Sequence, residues 1–426
     1  MNPVHGTSRK SHARNLCSGR AQTRRKTLAY AAVVGVLMAF SSAGRAASYD
    51  SGVSDTEIKI GSTSPFSGPA SPYSAVTRAA SAYFKQVNDA GGVNGRKIEF
   101  IAYDDGYSPP KAFEQVRRLL EDDKVLLIFG SIGTPSNMAA QAYLNQKHVP
   151  QLFLMTGSPR WDDPEHFPWT MGWLPSYRTE SILFGRFIVE SYPDAKVGIL
   201  HQNDDAGRDF YKALRLGMGA KANQIVAQQT YEVSDPTVDQ QVLALRESGA
   251  TVFYNASTPR FASLAIRKAA EIGWRLVHLL PSVGASIAST FAPAGLENSK
   301  GIVSTAFLKD ADDPEWANDE SMNAWRAWMA RYYPDGNLHD GFNVLGYTMA
   351  QSIVEVLKTC WNDLTRANVM KHAASLQGQR LPLMLPGIEI RTGPKDFAPI
   401  KQLQMQRFDG KQFVRFGPVL SLPDSR

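Results

Sequence analysis

Cysteine is almost missing from this chain of 426 residues, which carries only Cys17 and Cys360. Cys17 falls in a basic leader, so a mature chain keeps Cys360 alone and has no intramolecular disulfide, even in an oxidising compartment. No Leu-Ala-Gly-type context precedes Cys17, and a lipoprotein anchor is not expected. Catalytic signatures are absent too: there is no Gly-x-Gly-x-x-Gly, no phosphate loop, no His-Glu-x-x-His and no paired-cysteine motif. Beyond the leader, His148, His166, His201, His278, His339 and His372 are scattered without metal-ligand spacing. Gly284-Ala285-Ser286-Ile287-Ala288 comes nearest to a nucleophile elbow, but alanine takes the last glycine position. It reads as a helix opening after a strand. Asp204-Asp205 and Asp312-Asp313 are adjacent pairs whose side chains diverge, and they read as caps or solvated loop groups. Nothing assembles a nucleophile, a base and an oxyanion site. Binding is therefore expected, with no enzyme activity, cofactor or metal.

Acidic residues are absent from the first 46 positions, which hold eight Lys/Arg. Arg24-Arg25-Lys26 precedes the apolar run Leu28–Phe40, and small residues follow at Ser41–Ala47. Thirteen apolar-to-small residues fall short of the ~20 a spanning helix needs. A cleaved secretory signal over 1–47 is expected, cut near Ala46 or Ala47. Thr23–Leu28 also has a twin-arginine look. Removing the leader changes the charge from +6 to 38 basic against 40 acidic residues, or −2. The basic balance belongs to the leader, and a nucleic-acid partner loses its support. About 380 residues remain, too many for one ordinary core and enough for two α/β domains.

What is present is an alternation of strands and helices. Between Glu57 and Asp105, Ile58 and Ile60 alternate with polar residues and run into a Ser/Thr/Pro/Gly loop edged by Tyr73. A helix-period run from Ser74 to Asp89 follows, then a strand over Lys97–Tyr103. Further strands are expected at Val125–Gly130, Gln151–Met155, Lys196–His201, Ile225–Tyr231, Thr251–Asn255, Val277–Leu280 and Gly301–Thr305. Helices are expected near Pro110–Asp122, Pro135–Lys147, Arg178–Ser191, Gly207–Met218, Pro236–Glu247, Pro259–Ile272 and Asn343–Trp361. This rhythm predicts doubly wound α/β lobes on parallel sheets, with ligands outside the carboxyl ends of the strands. Trp161–Ser176 has neither period and suits a crossing between lobes.

Ser67-Gly68-Pro69, Asn88–Gly95 and Tyr103-Asp104-Asp105 stand in an order and spacing that resembles the periplasmic Leu/Ile/Val-type binding proteins. These are the type I substrate-binding proteins of ABC transporters. Phe129-Gly130, Leu200–Asp205, Ala265–Ala270 and Gly346-Tyr347 extend the resemblance from about Ser54 to the C-terminus. It implies two lobes, 54–172 plus 304–380 and 173–303 plus 385–424, joined by a three-segment hinge. Further crossings would lie near Gly301–Leu308 and Gln377–Pro386, the cleft closing on a solute. It implies a periplasmic, monomeric receptor that delivers a small molecule to an ABC-type permease, with no membrane insertion after cleavage.

The loops Gly130–Ser136 and Thr156-Gly157-Ser158 run from strand ends into helix starts, where free amides favour an anion. By resemblance they hold a ligand carboxylate, which implicates Ile132, Gly133, Thr134, Thr156, Gly157 and Ser158, while Tyr73 covers the ligand body. Three positions depart from the family pattern. Ala206 replaces a pocket aromatic, Ser257 stands at another aromatic site, and Ser282 takes the place of the acid that pairs with an α-ammonium. Tyr107 and Gly133 occupy the positions of two family cysteines. A carboxylate site kept and an ammonium site lost imply an aromatic or medium-chain acid rather than a branched-chain amino acid, with Trp161, Trp169, Trp173 and Phe261 on the enlarged side. The rival readings are an extracytoplasmic sensor module and, further off, an amide or ester hydrolase.

Overall fold

The computed structural model describes residues 47–422; apart from Ala47, the expected leader with Cys17 and its apolar run lies outside them. β1 (Glu57–Ser64), β2 (Lys97–Asp104), β3 (Leu127–Phe129), β4 (Gln151–Leu154) and β5 (Thr170–Gly172) form a sheet in the order β2-β1-β3-β4-β5. Every pair in it is parallel. The connections are α1 (Ser74–Asp89), α2 (Pro109–Glu121) and α3 (Thr134–Gln146). In α1, Val76, Ala79, Ala80 and Phe84 share one face and are buried, as their helical spacing requires. Phe84 meets Phe100 of β2 and Phe129 of β3 at ring distances of 5.0 and 5.7 Å, so α1 is fixed to the sheet by aromatic edges. Truncating such a ring costs about 3–5 kcal/mol.

The second half begins with α4 (Tyr177–Ser191), β6 (Val197–Gln202), α5 (Asp205–Met218), β7 (Ile225–Tyr231) and α6 (Asp239–Glu247). It continues with β8 (Val252–Ala256), α7 (Pro259–Glu271), β9 (Val277–Leu279) and β10 (Val303–Ala306). In α7 a proline opens the first turn, and Ala262, Ala265, Ile266 and Ala269 are buried at 3- and 4-residue spacing. The chain then returns to the first half as α8 (Glu320–Tyr332), α9 (Gly341–Cys360) and α10 (Arg366–Ala373). Tyr347 of α9 meets Tyr83 of α1 at 4.8 Å and Trp328 of α8 at 4.6 Å. Cys360 is buried there, which pushes its thiol up to about 12. Finally β11 (Gln402–Phe408) and β12 (Phe413–Ser421) complete a second sheet, β12-β11-β10-β9-β8-β6-β7.

That second sheet departs from an all-parallel reading at one edge, because β11 runs antiparallel to both β10 and β12. For β11 and β12 the Asp409-Gly410 turn is the reason: so short a link joins only antiparallel strands, since a parallel pair needs a crossover. Helices α8 and α10 and the three-residue β5 are further elements that the pattern reading leaves out; β5 is too short to show alternation. The later two passages between the halves lie side by side, with Lys309 N–H donating to Leu383 O (2.8 Å) and Leu385 N–H to Phe307 O (3.1 Å). Among the described residues no helix is long and apolar enough to cross a membrane.

Candidate functional site

Both sheets have a point where successive connections leave on opposite sides, between β1 and β3 and between β6 and β8. Such points leave a crevice outside the carboxyl ends of the strands. Loops from the two crevices face each other across one cavity. Its first wall is Tyr73 after β1, Tyr107 after β2, Ile132 and Gly133 after β3, and Met155 after β4. Its second wall is Gln202, Asp204, Ala206 and Phe210 around the start of α5, Tyr231 of β7, Ala256–Thr258 after β8, and Val283 after β9. Tyr177, at the head of α4, completes it. The space enclosed is about 30 Å³, enough for roughly two waters. Anything larger requires the walls to part.

Two glycines set the wall geometry. At Gly133 the backbone is left-handed (φ +93°) and a Cβ would come within 2.6 Å of the Tyr107 ring, so the two residues form a small–large pair in contact. At Gly207, a Cβ would sit 1.9 Å from Gln202 O, which is how closely α5 starts against the end of β6.

The electrostatics are one-sided. Among the described residues no Lys, Arg or His lines the cavity, and Asp204 is the one carboxylate that does. Asp204 caps α5 by accepting Gly207 N–H at 2.8 Å on Oδ1, and it accepts Gln202 Nε2 at 2.5 Å on Oδ2. Burial raises its pKa, and these hydrogen bonds hold the rise back. Burial also lifts all four phenols, Tyr177 to about 12, so they stay neutral hydroxyls. Tyr73 spans the cavity, donating its hydroxyl to Val283 O at 3.0 Å.

Of the residues expected from sequence, Tyr73, Ile132, Gly133, Ala206 and Ser257 meet in this cavity. Ser257 is buried and its hydroxyl has no hydrogen bond of normal geometry. Thr134 and Thr156 lie behind the first wall, with their hydroxyls 2.5 Å apart. Ser158 donates to Asp209 Oδ2 of α5 at 2.6 Å, and Gly157 is roofed by Tyr177. Ser282 lines an adjoining cavity of about 90 Å³ instead. Its N–H donates to Glu180 Oε1 (2.7 Å), a fully buried carboxylate on α4 that also accepts the Thr305 hydroxyl. Burial raises the Glu180 pKa, and those hydrogen bonds oppose the rise. The tryptophans do not enlarge the cavity. Trp161, Trp173 and Phe261 are core residues, and Trp169 stacks on His148. Tyr107, Tyr177, Gln202, Asp204, Phe210 and Tyr231 are lining residues that the sequence reading does not single out as ligand contacts; Tyr107, Gln202, Asp204 and Tyr231 stand at or just beyond a strand end, which is the signal that could have found them, while Tyr177 and Phe210 sit on helices α4 and α5.

Further contacts join the two halves beside the cavity. Asp340, the cap of α9, accepts Ser286 Oγ at 3.0 Å and Ser289 Oγ at 2.8 Å from the second half. An open groove of about 500 Å³ lies nearby, lined by the Gly68–Pro72 loop and by Arg260 and Arg267 of α7.

Comparison with known proteins places this geometry in context. The family model described as "Periplasmic binding protein" matches residues 57–412. The chain is 22% identical over 309 residues to the Leu/Ile/Val-binding protein homolog 1 of Brucella abortus (strain 2308), covering 71% of this chain and 78% of that protein. A branched-chain amino acid ABC transporter protein from Thermus thermophilus with bound valine superposes with a TM-score of 0.76 at 17% identity, over 87% of this chain and 98% of that one. A solute-binding protein of an ABC transporter from Rhodopseudomonas palustris BisB5, in complex with 3,4-dihydroxybenzoic acid, gives a TM-score of 0.70 at 19% identity, over 86% and 98%. At these identities the structural likeness shows the fold alone.

Proposed function

This chain belongs to the periplasmic binding protein family, and from that membership we propose that it is a receptor whose two halves close on a small organic carboxylate with an aromatic or medium-chain body. It is a solute-binding protein of the ABC-transporter type, a family of binding proteins rather than enzymes. The observation that carries the finer reading is the cavity itself. The uncapped amino end of α3 opens into it at Gly133, while phenol rings and Phe210 supply faces for an apolar body.

Free amides at a helix start favour a carboxylate. Behind them, the Thr134 and Thr156 hydroxyls share one hydrogen bond, and Thr156 also reaches the Tyr177 hydroxyl. Arg260 and Arg267 line the open groove and would draw anions to that face. Valine and 3,4-dihydroxybenzoic acid, bound by two structural relatives, both carry a carboxylate. Closure would bring the Tyr73–Val283 and Asp340–serine contacts together over the ligand. The loaded receptor would then deliver it to a membrane permease after export through the leader.

A thermal-shift panel of aryl acids, medium-chain acids, amides and amino acids tests this, because a ligand at 100 times its Kd adds about 2.7 kcal/mol of stability. Acids are expected to raise Tm saturably without being consumed. A flat response to every acid, or turnover of an amide or ester, would contradict the reading.

A further inference from the structure

We infer that Asp204 and Gln202 form a subsite for a protonated nitrogen on the ligand, so that the solute is an acid bearing an ammonium at its far end rather than on its α-carbon. This rests on the carboxylate reading above and adds the second charge. The argument starts from Gln202, which is only 6% exposed and lines the cavity. Its Nε2 faces Asp204 Oδ2 at 2.5 Å, which fixes the amide orientation and leaves Oε1 as a buried acceptor with no hydrogen bond of normal geometry, while the Tyr107 hydroxyl lies within reach of the same amide.

Asp204 presents a carboxylate beside it. Each of its oxygens accepts one hydrogen bond and retains capacity for another. The nearest candidate counter-ion, Arg208, is exposed and pairs with Asp205 at 2.9 Å. Among the described residues no cationic side chain lines the cavity to neutralise Asp204. A plain monoanion entering here would bring a second negative charge toward a half-buried first one, which is costly. A ligand ammonium removes that cost, satisfies Gln202 Oε1, and lies among the π faces of Tyr107 and Tyr231.

Ala206 makes the subsite reachable, since its methyl leaves open the space that an aromatic side chain would fill. The structure thus moves cation recognition away from Ser282, whose amide is already committed to Glu180, and onto the start of α5. Carboxylate and ammonium would contact opposite walls, at Gly133 and at Asp204.

The test is calorimetric titration of the mature chain with hexanoate, 6-aminohexanoate and hexylamine, repeated with 4-methylbenzoate and 4-(aminomethyl)benzoate. The amino acid of each pair is expected to bind about tenfold or more tighter than its plain twin, the scale of a charge-assisted hydrogen bond. Asp204→Asn, which retains capping ability, should bring that ratio to about one. Circular dichroism confirms that the variant is folded. Equal binding of the twins, an unchanged ratio in Asp204→Asn, or no binding by any probe would overturn the proposal. Hexylamine binding as tightly as 6-aminohexanoate would instead overturn the carboxylate reading and leave the Asp204 subsite standing.

Discussion

The two walls of the cavity are built from equivalent places, the loops beyond the carboxyl ends of parallel strands, yet their chemistry differs. The first wall offers backbone amides, phenols and apolar groups, with no carboxylate among its lining residues. The second offers a carboxylate, a primary amide oxygen and an unengaged serine hydroxyl. Equivalent topology thus gives one wall suited to an anion and an apolar body, and another suited to a hydrogen-bond donor. Closure matters because neither wall alone surrounds a solute.

Breaking either wall separates their contributions, and the second should fail harder. Gly207→Val would drive a side chain into backbone at Gln202 O, displacing the start of α5 with Gln202 and Asp204. A loss of more than about 3 kcal/mol in denaturant unfolding is expected, with binding abolished. Gly133→Ala meets only the Tyr107 ring edge, so unfolding should show a smaller loss, about 1–3 kcal/mol, dominated by the left-handed backbone.

Ser289→Ala tests closure without touching either wall, by leaving Asp340 Oδ2 without its donor. Loss of a hydrogen bond to a charged group costs about 1.5–3 kcal/mol, so ligand dissociation should quicken by about tenfold in stopped-flow. Tyr73→Phe removes only the neutral bond to Val283 O, and affinity should fall by about fivefold.

The smallest effect is on pH dependence, at the end of β2. Asp105 is buried and its carboxyl is pushed up to about 6, while hydrogen bonds from Ser67, Gly106 and Lys111 outweigh desolvation and hold Asp104 down at about 2. Asp105 therefore contributes stability that is fully present below its ordinary range near 4 and lost as pH rises through 6. Asp104 contributes stability present above that range and lost as pH falls through 2. Burial pushes Asp310 up to about 6 as well, so Tm should rise by a few degrees from pH 7 to 5, and Asp105→Asn should lessen that rise without removing it.

Much of the fold is legible because local periodicity and burial agree. Ser74–Asp89 shows its buried face directly, and Ile225–Tyr231 alternates along its length. The β11–β12 hairpin breaks the βα rhythm, and its Asp-Gly turn was the available signal. Within the site, Tyr73, Gly133, Ala206 and Ser257 are implied by the family resemblance, and each stands in a loop or turn after a strand. The hydroxyls of Thr134, Thr156 and Ser158 suit a ligand or one another equally well in sequence; their pairing depends on contacts 22 to 51 residues apart. Asp204 reads correctly as a helix cap, but one oxygen pattern serves both a cap and a cavity wall. Only the arrival of Tyr107 and Tyr231 from other strands marks it as lining a binding cavity.

The central claim is that the two halves part to admit an acid and close on it. Small-angle X-ray scattering of the mature chain, titrated with the acid that gives the largest thermal shift, tests it most directly. The radius of gyration should fall saturably, with a midpoint matching the calorimetric Kd. An unchanged scattering curve at full occupancy would contradict closure on the ligand.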